Sequence, residues 1–548
     1  MAEAPRFWSW ASLELHDENF EERFQSERFQ NVGKFSLLGT SSENLARFYS
    51  DILSFKSLFG FLDISQQDLS GLAPEILDRL FSRMSWVYLK NVRLSADQVC
   101  QVFSSLEQSE ECECLYYIGS DLSSVSPQSL SRAAVRLTKL ELYETQLRSD
   151  QVTALFRLLV EQGETKLEYL DLGHNNLSSV PAPSLATAVG RLKEVKISYS
   201  QLGEDQWTNI FHSIATSPEL RLTVLDVYGN DLSGVNPDLL SRALVRLEEA
   251  DLHMTDLTPQ QASAIFLRLA ETDTLRLTKL IIWSNNLGAV PPQTLARAVV
   301  RLEEVSLFVT NLSPAQITLL LETVLETADL RLRSLDICDN DLSSIPVTVL
   351  VEAVMRIEEI NLYHTLLTQQ HLESLISTIA QHKEGKLRKL DLRHNDLSSI
   401  SSETLSLAIS KLEKIALDNT ELSQKQIITI LTRIIDPETK LTHLELGRNN
   451  LSKVPLDLLT RAVVRLEDVT LSDCQLSPLN ITAMFITISE RKELRLASLD
   501  MRENELSCVP GDVLASLRAR ISWLYVSPDS GPECHRVIYY RLRPGPAI

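Results

Sequence analysis

One apolar pattern returns through most of this 548-residue chain at a nearly fixed interval, and it leaves room for few architectures. The segment Leu170–Leu177 reads L-D-L-G-H-N-N-L. Its counterparts place their first leucine at Leu62, Leu115, Leu225, Leu280, Leu335, Leu390, Leu444 and Leu499, and from Leu170 to Leu390 every step is 55 residues. Between these copies lies a second form, such as Val305–Leu312 (V-S-L-F-V-T-N-L). It starts at Val87, Leu140, Val195, Ala250, Val305, Ile360, Ile415, Val469 and Leu524, and an eroded copy at Phe35–Leu37 opens the series. The result is about 19 units, alternately about 25 and about 30 residues long. Self-similarity at such a period marks a solenoid, in which each unit buries its apolar side against its neighbours. A length that would otherwise suggest several domains then belongs to one array, residues 35–526.

Each unit reads as a short strand followed by a helix. The L-x-L stretch carries period-two burial, and the following segment repeats apolar residues at three- and four-residue spacing, as in Ile317, Leu320, Leu321 and Val324. Helix starts are marked by Ser95 with Gln98, Thr258 with Gln261, Ser313 with Gln316 and Ser423 with Gln426, pairs that satisfy each other's orphan amides. Pro259, Pro314 and Pro478 suit the first helical position, which needs no N–H, and Pro181, Pro291, Pro346 and Pro455 start the shorter helices. Strand–helix units of this length stack as a parallel sheet with the helices on one side. Strands sit about 4.8 Å apart and packed helices about 8–10 Å, so the expected shape is an α/β horseshoe with the sheet inside.

Five residues after the first leucine position, one form carries Asn175, Asn230, Asn285, Asn340, Asn395, Asn449 and Asn504. The other carries Thr145, Thr255, Thr310, Thr365 and Thr420, with Ser200 and Cys474 as variants. A side chain buried there must satisfy backbone groups of neighbouring turns, hence an amide or a hydroxyl. This alternation of L-x-L-x-x-N with L-x-L-x-x-(T/C) resembles the ribonuclease-inhibitor class of leucine-rich repeats, over nearly the whole chain. That class includes the sensor arrays of cytosolic innate-immune receptors and the Ran GTPase activator. The resemblance implies a horseshoe fold and recognition of a protein by the sheet or its rim. Thr mostly stands here where ribonuclease inhibitor itself has Cys, and no nucleotide-binding domain accompanies the repeats.

Residues 1–34, rich in aromatic and acidic side chains, read as a cap over the first unit, and 527–548 as a Pro/Gly-rich tail. A net charge of −20 repels phosphate backbones and anionic lipid and favours cationic protein partners, so nucleic acid and membrane are not expected ligands. Seven cysteines, an odd count, suit a reducing compartment. The N-x-S/T sequons at Asn176, Asn311 and Asn450 arise from the repeat's own turn. A cytoplasmic location is the expectation.

No phosphate-binding loop, zinc-protease helix, nucleophile elbow or calcium loop occurs, and no catalytic residue, cofactor or metal site is expected. Cys112 and Cys114 form too small a cluster for a metal. Two rows instead suggest a binding face. One residue after the first leucine position stand Asp171, Asp226, Asp336 and Asp391, a stripe read as solvated and spaced on every second strand. Three residues after it stand Tyr143, Tyr228, Trp283, Phe308 and Tyr363, with Tyr199 and Met254 one place later. Large rings on an exposed sheet face contribute nothing to the internal core and dominate protein interfaces. The expected function is therefore non-enzymatic: a scaffold that holds a basic protein partner, as inhibitor or sensor. The alternatives are a GTPase activator using Arg393, Arg448 or Arg502, and a structural scaffold in a larger assembly.

Overall fold

A computed structural model describes residues 11–15, 32–37 and 59–526, apart from 66, 82–83, 163–164, 383–384, 492–493, 507 and 519. Two compact units divide the chain, residues 1–280 and 281–548. In the first, ten strands pair in parallel and in chain order. They are Ala11–Leu15, Val32–Leu37, Phe59–Ser65, Met84–Lys90, Cys114–Ile118, Lys139–Glu141, Tyr169–Asp171, Glu194–Lys196, Val224–Asp226 and Glu249–Asp251. In the second, nine strands do the same, from Glu304–Ser306 and Ser334–Asp336 to Ser498–Asp500 and Trp523–Tyr525. The strand Lys279–Ile281 lies at the division. The parallel ladder starts earlier than Phe35, because Ala11–Leu15 pairs with Val32–Leu37. The remainder of the segment read as a cap, and the tail 527–548, lie outside the described residues.

The register is the one the repeat demands. Leu140, Leu170, Val195, Leu225 and Ala250 are successive partners across the first ladder, so every first-leucine position stacks on the next. Each points into the core, while the strand residues on either side face the open, helix-free side of the sheet, as Val224 and Asp226 flank fully buried Leu225. The two unit lengths come from the helices. Short ones such as Pro237–Leu244 (8 residues) alternate with long ones such as Pro259–Glu271 (13 residues).

Two buried ladders tie unit to unit. Asn175 accepts from the backbone N–H of Thr145 (3.2 Å) and Leu147 (3.1 Å) and donates to the carbonyls of Leu142 (2.7 Å) and Leu172 (3.1 Å). Asn230 repeats this on Ser200, Ile197 and Val227. Thr145, Thr255, Thr310, Thr365 and Thr420 are fully buried, each hydroxyl donating to a carbonyl three residues back. The second ladder uses the capping glutamines, all four of which form the expected capping boxes. Each also reaches back to the unit before. Gln151 Nε2 donates to Leu122 O and Val125 O, and Gln206, Gln261, Gln316 and Gln426 do the equivalent. Leaving one such buried group unpaired costs about 1–3 kcal/mol, which accounts for Gln at this position in nearly every long helix.

Pro181, Pro291, Pro346 and Pro455 occupy the residue just before the helix, one place earlier than expected. On the helical side, Arg246 donates to Ile214 O and Ser217 O, and Arg356 to Val324 O and Thr327 O. These side chains satisfy the free carbonyls at the ends of preceding long helices.

Candidate protein-binding surface

The acidic row is not the solvated stripe expected from sequence. Each carboxylate turns back to accept the N–H two residues on. Asp171 accepts from Gly173 N (2.8 Å), Asp226 from Tyr228 N (3.1 Å), Asp336 from Cys338 N (3.2 Å) and Asp391 from Arg393 N (3.0 Å). These bonds fasten the turn that follows the strand, so in these four units the acid serves the fold first. Asp171 is buried, at 7% exposure, and Asp226, Asp336 and Asp391 are half-buried. The spacing also departs from every second strand, because Asp251 sits beside Asp226 on the next one.

In the first unit that burial has an electrostatic consequence. Burial, with Glu141 next to it, pushes the Asp171 carboxyl up to about 7. Burial and Asp251 push Asp226 up to about 6. Lys196 lies among these acids. Burial works against its charge, but Glu194, Asp171 and Asp226 outweigh it and raise its pKa.

The aromatic residues sit in the turns after the strands, at the rim of the open sheet face. The fourth residue past the first leucine position has a left-handed backbone in unit after unit, as at His174 (φ 56°), Tyr199 (45°), Met254 (53°), Val309 (50°), His364 (48°) and His394 (58°). Such a φ is uncommon for side chains other than glycine, asparagine and aspartate. It is held here by the next turn: His174 N donates to Ser198 O (2.9 Å), Tyr199 N to Tyr228 O (3.1 Å) and Gly229 N to His253 O (3.0 Å). The ladder thus continues beyond the strands and mounts the turn side chains rigidly.

Five successive turns of the first unit join their rings. Tyr143 meets His174 (4.7 Å between centroids), His174 meets Tyr199 (4.7 Å), Tyr199 meets Tyr228 edge-on (5.2 Å), and Tyr228 stacks on His253 (4.3 Å, 11° between planes). Tyr199 also reaches Met254 Sδ at 3.8 Å. Tyr199 and Met254 are 37% and 42% exposed, while Tyr143 and Tyr228 are half-buried along the sheet. Two glycines make room. A Cβ on Gly229, at φ +68°, would stand 2.5 Å from the Tyr199 ring, and one on Gly173 would stand 3.0 Å from Tyr143. His253 is oriented by Asp251, whose Oδ1 lies 2.5 Å from Nδ1.

In the second unit, Trp283 and Phe308 touch (5.5 Å), with exposed Val309 alongside, and Tyr363 meets His394 edge-on (5.0 Å) under the Arg393 guanidinium (5.4 Å). Arg393 is itself paired with Asp391 (2.5 Å) and Glu445 (3.7 Å), and Arg502 with Asp500 (2.5 Å). Arg448 lies 4.0 Å from Asp473. Two of the three arginines considered for GTPase activation are thus held by the array's own acids.

Sequence reasoning chose Phe, Tyr, Trp and Met254, noted Asp and His side chains between them, and did not single out His174, His253 or Asp251. The signal was present, since each stands in the same repeat column as a residue that was chosen. Among the described residues, no group of three or more His, Cys, Asp or Glu is placed to hold a metal ion, and no helix is long and apolar enough to cross a membrane.

Residues 166–188, 221–243 and 386–407 each match the family model Leucine Rich Repeat, all three on asparagine-bearing units. With parallel strands and helices alternating through the described residues of each unit, the fold is the α/β solenoid of leucine-rich repeats, a class whose members generally serve as non-enzymatic protein-interaction scaffolds. No curated protein matches it at a significant level.

Proposed function

We propose that this array is a scaffold that holds a basic protein partner, as inhibitor or sensor, through the ring-bearing turns at the rim of its sheet. The ring chain Tyr143–His174–Tyr199–Tyr228–His253 carries the reading. These rings face the side away from the helices, where they add little to the core, and rigid rings bring little ordering entropy to an interface. Trp283, Phe308 and Tyr363 extend the same use of the turns in the second unit. Asp226, Asp336 and Asp391, half-buried beneath the turns, leave the surface acidic and favour a cationic partner. Asp171 contributes through the local field more than through contact. The Asn/Thr alternation fits the ribonuclease-inhibitor-like class. Four of the six described cysteines are buried, which fits thiols in a reducing cytoplasm.

The test is affinity capture with the full-length chain as bait, comparing wild type with Trp283→Ala and Tyr228→Ala at low and high salt. The reading expects a basic protein that wild type retains, that either variant loses, and that salt releases. Capture unaffected by both substitutions would place the contact on the helices and favour a structural scaffold.

A further inference from the structure

The five joined turns of the first unit differ from an ordinary apolar patch in what lies among the rings. Residues 143–146, 173–176, 198–201, 228–231 and 253–256 include Glu144, Asp231 and Asp256 and no lysine or arginine. Beneath them, Asp226 and Asp251 stand on adjacent strands in register. Each uses one oxygen, Oδ1, on the turn N–H (3.1 Å in both cases), and Asp251 Oδ1 also meets His253. The ring chain therefore runs above two neighbouring carboxylates, with Lys196 on the far side of Asp226 and also engaged by Glu194 (3.6 Å).

We infer that this ring chain is a docking surface for an extended, arginine-bearing segment of another protein, whose guanidinium groups lie on exposed Tyr199 and against the stacked Tyr228–His253 pair. The inference rests on the scaffold reading above and narrows its partner. A guanidinium is planar and weakly hydrated, so it stacks on a tyrosine face and still bonds a carboxylate edge-on, which an ammonium cannot do as well. An acidic segment would meet Glu144, Asp231 and Asp256. A purely apolar segment would desolvate Asp226 and Asp251 without replacing the lost water. The turns leave room for an extended chain. Five turns about 4.8 Å apart span about 19 Å, and three side chains at alternate positions of a strand span about 13 Å. Burial and Asp251 already disfavour the negative charge on Asp226, and an incoming cation offsets the repulsion.

The probe is a set of labelled eight-residue peptides alternating glycine with arginine, lysine, leucine or glutamate, titrated against the full chain by fluorescence anisotropy. The arginine peptide should bind, the lysine peptide several-fold more weakly, and the leucine and glutamate peptides not measurably. Tyr228→Leu, which keeps apolar bulk but removes the ring, should weaken the arginine peptide by roughly fivefold or more, as should Tyr199→Leu. Arg268→Ala, on the helical side and paired there with Asp238, should leave it unchanged. No binding of the arginine peptide, leucine binding as tight as arginine, or indifference to both tyrosine substitutions overturns the inference. If captured partners still depend on Tyr228 while the arginine peptide fails, the docking inference falls and the scaffold reading stands.

Discussion

The turns after the strands do one backbone task in both units but carry different side chains. Between residues 143 and 256 they present rings and acids; between 393 and 502 they present Arg393, Arg448 and Arg502. Beneath them the same strand position holds an aspartate that fastens the turn, whether Asp226 to Tyr228 N or Asp391 to Arg393 N. What differs is the fate of the second charge. Asp391 receives its own turn's guanidinium, whereas Asp171 and Asp226 have glycine or tyrosine there and their carboxyls are pushed up to about 7 and about 6. Where a unit carries an aspartate at this position, the residue two places later decides whether its field is met inside the protein, as at Asp391, or offered to a partner, as at Asp226.

The largest effect should fall on what the two regions share. Asn230→Ala strips partners from Ser200 N, Ile197 O and Val227 O, and Asn395→Ala does the equivalent at Leu362 O and Leu392 O. Each should cost about 2–4 kcal/mol, with hydrogen exchange rising in the units around the substitution and not throughout the chain. Unequal costs would mean that the backbone framework itself differs between the regions.

A smaller effect is a pH dependence around Asp171 and Asp226; Asp418 in the second unit, pushed up to about 7 by burial, adds one of its own. A carboxylate whose folded pKa lies above its unfolded value near 4 holds its proton more tightly when folded. Its contribution is therefore full below about pH 4 and is lost as pH rises to about 7. Hydrogen exchange in the first unit should thus speed up between pH 4 and pH 7, after correction for intrinsic rates. Asp171→Asn should flatten that slope. Tyr228→Arg, copying the Arg393 arrangement, should lower the Asp226 value and flatten it too. An unchanged slope in both variants would remove the electrostatic half of the comparison.

Gly229→Ala forces a side chain into a left-handed turn and against the Tyr199 ring. About 1–2 kcal/mol of local stability should be lost, and the Tyr199–Tyr228 contact should open, visible as shifted ring resonances. The smallest effect concerns His371, which stands where most other long helices have Gln. It closes the capping box on Thr368 but reaches only one carbonyl of the preceding unit, Ile345 O, whereas Gln316 reaches two. His371→Gln should stabilise the second unit by about 1 kcal/mol in denaturant unfolding; a loss would show that the imidazole packs better than the rung it interrupts.

How much of this was legible in sequence follows from where each side chain finds its partner. Leu170, Asn175 and Gln261 were readable because the repeat brings the same environment to them in every unit, so their columns are uniform. The role of Asp226 was missed because its partner is the backbone N–H of Tyr228, which a residue pattern does not display. The ring chain was half seen. Tyr199 and Tyr228 stood out as large aromatics, but His174 and His253 complete it only across units about 25–30 residues apart in the chain. Arg246 and Arg356 were invisible for the same reason, since the carbonyls they satisfy belong to the preceding unit.

The central claim is that the turn rings serve binding and not folding. It is tested most directly by measuring retention of the captured partner and denaturant stability side by side for wild type, Tyr228→Ala and Trp283→Ala. The account predicts at least roughly tenfold weaker retention for each variant, about 1.4 kcal/mol or more, with stability changed by less than about 1 kcal/mol. Unfolding of the surrounding repeats with either substitution would make these rings part of the core and contradict the account.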